Sequence, residues 1–168
     1  RKVNVVEDLD GNKIVVIHDI RFKGRQAIEW KDVERYLKQY VGEAHIIEST
    51  EDMVFIGVDL PEEYAHSNYT NTLKGANAKA KANATQGTLE IIEIAVNRAY
   101  KENFKEKHNK DAKYGFYRYT TKIAVPVFDN TRTVVGANIY RANLLIRNAS
   151  DGKKYLYDKK KKKKERSS

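Results

Sequence analysis

The chain has 168 residues, 40% hydrophobic and 33% charged, a mixture that fits one globular domain with a buried core. It contains no cysteine, which excludes disulfide frameworks and thiolate chemistry, and no apolar run approaches the roughly 18 residues of a membrane span. The net charge is +9, but six lysines form the run 159–164 and the remainder carries only +3. We therefore expect a cytoplasmic protein with an anionic partner, nucleic acid rather than a membrane.

The first sixty residues are predicted to form two hairpins separated by a helix. The turn pair Asp10-Gly11 lies between two β-branched runs and indicates the tip of the first hairpin. The helix shows one apolar stripe and stops before Gly42, which suits a left-handed C-cap. In chain order the elements are strands at 3–6 and 13–20, a helix at 31–41, and strands at 44–49 and 53–59.

Two helices are predicted in the middle of the chain, after a polar surface loop at 62–71. The first, at 74–84, alternates alanine and lysine, so it is either a solvated helix or a helix whose lysines follow a phosphate backbone. The second begins at the cap Thr88. Its apolar stripe from Leu89 onward predicts the central core helix, which ends in the basic cluster 105–108.

Alternating strand patterns fill the last third of the chain. They lie at 116–128, 137–147 and 154–158. The turns between them are short, at Asp129-Asn130 and at Asp151-Gly152. Three consecutive strands with such connections predict an antiparallel meander.

The predicted fold class is α+β. An antiparallel sheet, made of the C-terminal meander and the N-terminal hairpins, packs on the central helix. We expect a single domain over residues 1–158. It contains a hairpin-helix-hairpin subregion at 1–60 and a subregion of helices plus meander at 74–158, and a lysine-rich tail follows at 159–168.

Side-chain alternation divides the meander into two faces. Tyr117 and Tyr119 belong to the core side. The opposite face collects four cations and two hydrogen-bonding side chains, namely Arg118, Thr120, Lys122, Arg141, Asn143 and Arg147. His108 and Lys113 enter from the same edge. Burying such a set without partners is costly, so this face is expected to meet solvent or an anion.

These residues include the groups that RNA cleavage without a metal requires. A base removes the 2′-hydroxyl proton, cations stabilise the phosphorane, and an acid protonates the leaving oxygen. The unperturbed pKa of a histidine side chain lies near neutrality, so His108 suits either proton transfer, whereas Arg118 and Arg141 suit the phosphate. A further proton donor, or a ring on which a base stacks, would come from Tyr117, Tyr119 or Tyr157. The sequence has no clustered metal ligands and no glycine-rich phosphate loop, so neither a metal nor a cofactor is expected.

Four segments carry a resemblance to a known family. They are Glu106-Lys107-His108, Asp111 to Tyr119, Ile139 to Arg147, and Asp151 to Asp158. Together they resemble a domain of polyvalent proteins from prophages and conjugative elements, which is similar to the barnase–EndoU–colicin–RelE-like nucleases. The resemblance implies a metal-independent ribonuclease in which helices pair with an antiparallel sheet. The positions that would match catalytic residues are His108, Arg118, Thr120, Arg141 and Tyr157, and the nucleic-acid-binding positions would be Lys113, Lys122, Asn143 and Arg147.

Two features bear on that resemblance. In the family pattern the last strand continues through apolar residues, whereas here six lysines follow Asp158. The chain also starts at Arg1 without an initiator Met, which suggests a processed protein or a piece of a longer polypeptide. Three functions therefore stay open at this point: a metal-independent ribonuclease, a nonenzymatic nucleic-acid-binding module, and a structural or interaction domain of a mobile-element protein. RNA is the favoured nucleic acid.

Overall fold

A computed structural model describes residues 3–102 and 113–165, with side chains up to residue 159. The strands are β1 (Val3–Glu7), β2 (Lys13–Ile17), β3 (Ala44–Ile46), β4 (Met53–Phe55), β5 (Val96–Lys101), β6 (Phe116–Phe128), β7 (Val134–Asn148) and β8 (Lys154–Glu165). The helices are α1 (Trp30–Leu37), α2 (Leu60–His66), α3 (Asn68–Thr72), α4 (Gly75–Ala84) and α5 (Thr88–Glu93). The predicted α+β class is confirmed.

The strands belong to one mixed sheet in the order β1-β2-β6-β7-β8-β4-β3, and β5 pairs with β6 on the edge that β6 shares with β2. Consecutive strands β6, β7 and β8 pair antiparallel, with β7 and β8 longer than predicted. The prediction of a wholly antiparallel sheet is wrong, because β2 pairs parallel with β6 and β4 pairs parallel with β8. Each parallel pair joins strands far apart in sequence, and no local turn signal reports such a pairing.

The sheet curls around a helical segment in the middle of the chain. Helices α4 and α5, with the 3-10 turn between them, contact β2, β3, β6 and β8. The curl also brings β2, the second strand of the order, close to the segment after β3 at the far end, since Lys13 Nζ on β2 lies 2.8 Å from Glu48 Oε2. Every residue from 80 to 88 is buried. Helix α4 and the short α5 therefore share the central place that the sequence assigned to one helix beginning at Thr88.

The predicted central helix from Thr88 to residue 108 is wrong over residues 94–102. Helix α5 has only six residues, and the chain then forms β5 on the edge of β6. Asn97 has a φ of 61° where the β5–β6 register shifts, a left-handed conformation that an α-helix does not contain. The backbone groups at the free edge of β6 gain hydrogen-bond partners from β5. The basic cluster 105–108 lies outside the described residues.

The alanine- and lysine-rich helix is not solvated on the face that carries Lys81. Ala78, Ala80, Ala82 and Ala84 of α4 are buried, and Lys81 is only 2% exposed. The predicted surface loop at 62–71 is also wrong, because α2 and α3 occupy most of it, with Pro61 in the first turn of α2. The Tyr64 hydroxyl of α2 donates to the carbonyl oxygen of Lys81 at 2.6 Å. This hydrogen bond links α2 to the buried face of α4.

Strand β8 does not end where a tail was expected. It continues along β7 through the lysine run, with Lys159 opposite Leu144 and Lys161 opposite Ala142. Lys159 is 4% exposed. The first lysine of the run is thus a core residue rather than part of a solvated tail.

In the described part of the chain, no helix combines the length and the apolar character needed to cross a bilayer.

Candidate nucleic-acid interface

The pairing of β6 with β7 defines an outer face of the sheet. Tyr119, Thr121 and Ile123 are buried on the inner face, so the residues between them point outward. The register sets Thr120 opposite Asn143 and Lys122 opposite Arg141, and opposite residues share a face. The six polar residues that the sequence grouped together lie on this face. We call it the outer meander face, and it comprises Arg118, Thr120, Lys122, Arg141, Asn143 and Arg147.

One end of the outer meander face carries rings interleaved with cations. Phe116 on β6 lies opposite Arg147 on β7, which lies opposite Tyr155 on β8. The guanidinium of Arg147 is 4.4 Å from the centre of the Tyr155 ring, a distance typical of a cation–π contact. Tyr155 also lies 6.0 Å from the ring of Phe55 on β4. We name this group, made of Phe55, Phe116, Arg147, Lys153, Tyr155 and Tyr157, the ring cluster.

Tyr157 reaches the ring cluster through an irregularity of β8. The β7–β8 register shifts between Leu145 and Ile146, so Tyr157 is an extra residue in a bulge. Its ring packs edge-on against Phe116 with centroids 5.6 Å apart. Tyr157 also lines a small cleft of about 80 Å³ with Arg147 and Glu63.

A hydrogen bond orients Tyr155 in the ring cluster. The hydroxyl of Tyr155 donates to Asp151 Oδ2 at 2.7 Å across the β7–β8 turn. This bond, with the carboxylate charge and burial, raises the pKa of Tyr155 above its ordinary value. The same bond is the largest cause of a lowered pKa for Asp151. Tyr155 therefore stays protonated and fixed at neutral pH.

The other end of the outer meander face lines a cleft of about 510 Å³. Thr120, Lys122 and Arg141 contribute to it, but so do Glu48 and Glu93. Lys122 Nζ lies 3.9 Å from a carboxylate oxygen of Asp8. Acidic neighbours therefore offset part of the positive charge here, and this end is less basic than the sequence indicated.

The five predicted catalytic positions do not form one constellation in the described residues. Thr120 and Arg141 share the 510 Å³ cleft. Arg118 lies two residues before Thr120 on β6 and is exposed. Tyr157 belongs to the ring cluster instead. The ring cluster and the cleft are well separated, because Arg147 of the cluster and Arg141 of the cleft are six residues apart, roughly 20 Å along an extended strand. His108 lies outside the described residues. Lys113 is exposed in the turn before β6, 5.5 Å from the ring centre of Tyr114.

Sequence reasoning missed a polar cluster on the inner rim of the sheet. The hydroxyl of Tyr119 donates to Asp52 Oδ2 at 2.5 Å, and Arg98 Nη1 donates to the same oxygen at 2.9 Å. Burial raises the pKa of Asp52, but these two hydrogen bonds and the cations Arg98 and Lys154 outweigh it and leave the pKa lowered. Burial, followed by the bond to Asp52, raises the pKa of Tyr119 to about 12. Arg98 was missed because β5 had been assigned to a helix.

A second missed cluster is buried between α4 and β8. Lys81 Nζ donates to Asp158 Oδ1 at 2.9 Å and to the hydroxyl of Thr70 at 2.6 Å. Lys159 lies beside this pair. Burial, followed by the charge of Lys81, lowers the pKa of Lys159 to about 7 against the opposing effect of Asp158. The alternation of alanine with lysine in α4 was the signal, since a lysine among buried alanines must find a partner.

Among residues 3–102 and 113–159, no three histidine, aspartate or glutamate side chains converge as metal ligands would. Comparison of the chain with family models, with curated proteins and with solved structures finds no match.

Proposed function

We propose that this protein binds single-stranded nucleic acid, with RNA preferred, on the outer meander face. The ring cluster is the observation that carries the proposal. It presents rings from β4, β6 and β8 with the guanidinium of Arg147 among them. Proteins that bind single strands combine such stacking rings with cations that follow the phosphate backbone.

The arrangement suits a strand lying across the meander. Bases would stack on Tyr155 and Tyr157 at the ring cluster, and phosphates would lie towards Arg118, which is exposed further along β6. Stacking of one base on one aromatic ring contributes about 1–3 kcal/mol. Thr120 and Asn143 face each other across β6 and β7 and offer hydrogen-bonding groups. A 2′-hydroxyl both donates and accepts, so these two side chains favour RNA over DNA.

RNA cleavage is the second candidate function. The cleft that holds Thr120 together with Lys122 and Arg141 favours it, because a scissile phosphate needs cations and a hydroxyl donor in one place. His108 would supply the acid or base. The resemblance of the C-terminal half to nuclease-like domains of mobile-element proteins supports this candidate and a cytoplasmic setting.

Anisotropy of a fluorescently labelled single-stranded RNA tests binding. We expect Tyr155→Leu to weaken binding by about 1–3 kcal/mol, since one stacking ring is removed. Tyr100→Leu is the matched control, because Tyr100 is exposed on β5 opposite the inward Tyr117 and lies off the outer meander face. Equal affinities of wild type and Tyr155→Leu would contradict the proposed surface.

Incubation of the same RNA in EDTA tests cleavage. We expect wild-type cleavage to be lost in Arg141→Ala while Tyr100→Leu remains active. Binding without cleavage would leave the binding function standing and remove the second candidate. Cleavage that survives Arg141→Ala would contradict the assignment of the 510 Å³ cleft as the catalytic place.

A further inference from the structure

We propose that a second cleft, separate from the outer meander face, binds a nucleoside polyphosphate. The cleft has a volume of about 940 Å³, within the range of small-molecule sites. Three parts of the chain enclose it: the loop 19–28 between β2 and α1, the start of α4, and the tip of the β6–β7 hairpin. Its β6 residues begin at Val125, whereas the ring cluster uses Phe116 at the other end of the same strand.

The charge of this cleft has one dominant sign. Five cations line it, together with one carboxylate, that of Asp19; the cations are Lys23, Arg25, Lys74, Lys79 and Arg132. Within the described part of the chain, none of these five side chains makes an ion pair. A cleft lined by one sign of charge concentrates the field and attracts a ligand of the opposite sign. A net excess of four positive charges matches a polyphosphate rather than a single carboxylate.

The basic loop of the cleft is held by buried amides rather than left to move freely. Asn83 is fully buried, and its side chain both accepts from the backbone N–H of Phe22 and donates to its carbonyl, each at 2.9 Å. Gln86 donates to the carbonyl of Asp19 at 2.9 Å. Gly24 has a φ of +63°, and a Cβ there would lie 2.0 Å from the carbonyl oxygen of Ala27. The loop thus has one specified shape, which keeps Lys23 and Arg25 at the cleft.

The remaining wall of the cleft is apolar and aromatic. Trp30, Val125, Pro126 and Phe128 line it, and Phe128 is 37% exposed. A planar base has both a face to stack and an apolar surface to bury, so it fits this wall while its phosphates meet the cations. The combination of ring wall and excess positive charge therefore points to a nucleotide with several phosphates.

Trp30 is the only tryptophan in the chain and lines the cleft, so its fluorescence reports occupancy directly. The experiment titrates the full chain with ATP and follows Trp30 emission. We expect a saturable change for the wild type. The double substitution Lys23→Ala and Arg25→Ala is expected to weaken ATP binding at least tenfold. Lys38→Ala with Lys101→Ala removes the same charge from exposed positions outside the cleft and is expected to change affinity less than twofold.

Two further arms make the result decisive. Arg132→Gln removes a cation from the opposite wall, the hairpin tip, and is expected to weaken ATP binding even if the loop variant unfolds. Tripolyphosphate and adenosine are each expected to bind at least tenfold more weakly than ATP, because each meets only one wall. The proposal is overturned if ATP causes no Trp30 change, if neither variant weakens ATP, or if tripolyphosphate or adenosine binds as tightly as ATP.

Discussion

Replacing the buried Lys159 by methionine should remove most of the pH dependence of stability between pH 7 and 9. Lys159 is 4% exposed on β8, and burial lowers its pKa to about 7 from an ordinary 10.5. In this range the unfolded chain binds a proton at this lysine that the folded chain increasingly does not bind. A folded-state pKa below the unfolded one makes stability rise with pH, with a slope of at most about 1.4 kcal/mol per unit.

The size of the effect follows from the two pKa values. With half of the folded molecules protonated near pH 7 and almost none at pH 9, the free energy of unfolding should increase by about 2 kcal/mol between these pH values. Tyr64, which packs nearby, has a pKa raised well above 10 by burial, so it does not titrate in this interval. Methionine keeps the length of the side chain without the amine.

Urea denaturation at pH 7, 8 and 9 provides the measurement. We expect Lys159→Met to be more stable than the wild type at pH 7 and to vary by less than about 0.5 kcal/mol over the range. Lys153→Met, at an exposed position just before β8, is the matched control and should keep the wild-type slope. If the free energy of unfolding of the wild type does not change with pH, or if it changes equally in Lys159→Met, Lys159 does not have a pKa lowered by burial.

Two other substitutions test the core and the inner rim. Gly87→Ala should lower the free energy of unfolding, measured in urea, by about 1–3 kcal/mol, because the new Cβ would lie 2.9 Å from Val15 Cγ1. Gly136→Ala is the control, because a Cβ there would meet nothing within 4 Å, and it should not lower the free energy of unfolding. Equal effects of the two substitutions would contradict the packing around Gly87. Asp52→Asn should lose about 1–3 kcal/mol at pH 7. The lowered pKa means that the stability from Asp52 is present at neutral pH and is lost progressively as pH falls below about 4, so the difference between wild type and variant should be smaller at pH 3 than at pH 7. A constant difference at both pH values would argue against an ionised Asp52.

The meander was predictable because its side-chain period leaves little choice. Tyr119, Thr121 and Ile123 alternate with Arg118, Thr120 and Lys122, and a shift of register by one would bury Arg118 and Lys122. The same pattern identified the outer meander face. The ring cluster was harder to foresee, since Phe55 arrives from β4 through a parallel pairing with β8 that the sequence does not signal.

The helices were less predictable because a short segment can match both the helical and the strand pattern of apolar residues. Leu89, Ile92 and Val96 follow a helical stripe, yet the chain leaves the helix at Glu93 to pair with β6. Which period prevails depends on the unpaired edge of a strand twenty residues away. The burial of α4 was hidden for a related reason, because alanine fits an exposed helix as well as a tightly packed one.

The salt dependence of RNA affinity tests the proposed binding surface most directly. Between 50 and 200 mM salt, the logarithm of the binding constant measured by anisotropy should fall linearly with the logarithm of the salt concentration. The slope is about −0.7 for each phosphate contacted, so roughly −3 if four cations, Arg118, Lys122, Arg141 and Arg147, each meet one phosphate. Arg147→Ala should weaken binding and reduce the slope by about 0.7. Lys38→Ala, at an exposed position just after α1 and outside the outer meander face, should do neither. An affinity that ignores salt, or an Arg147→Ala variant with the wild-type affinity and slope, would contradict nucleic-acid binding by the outer meander face.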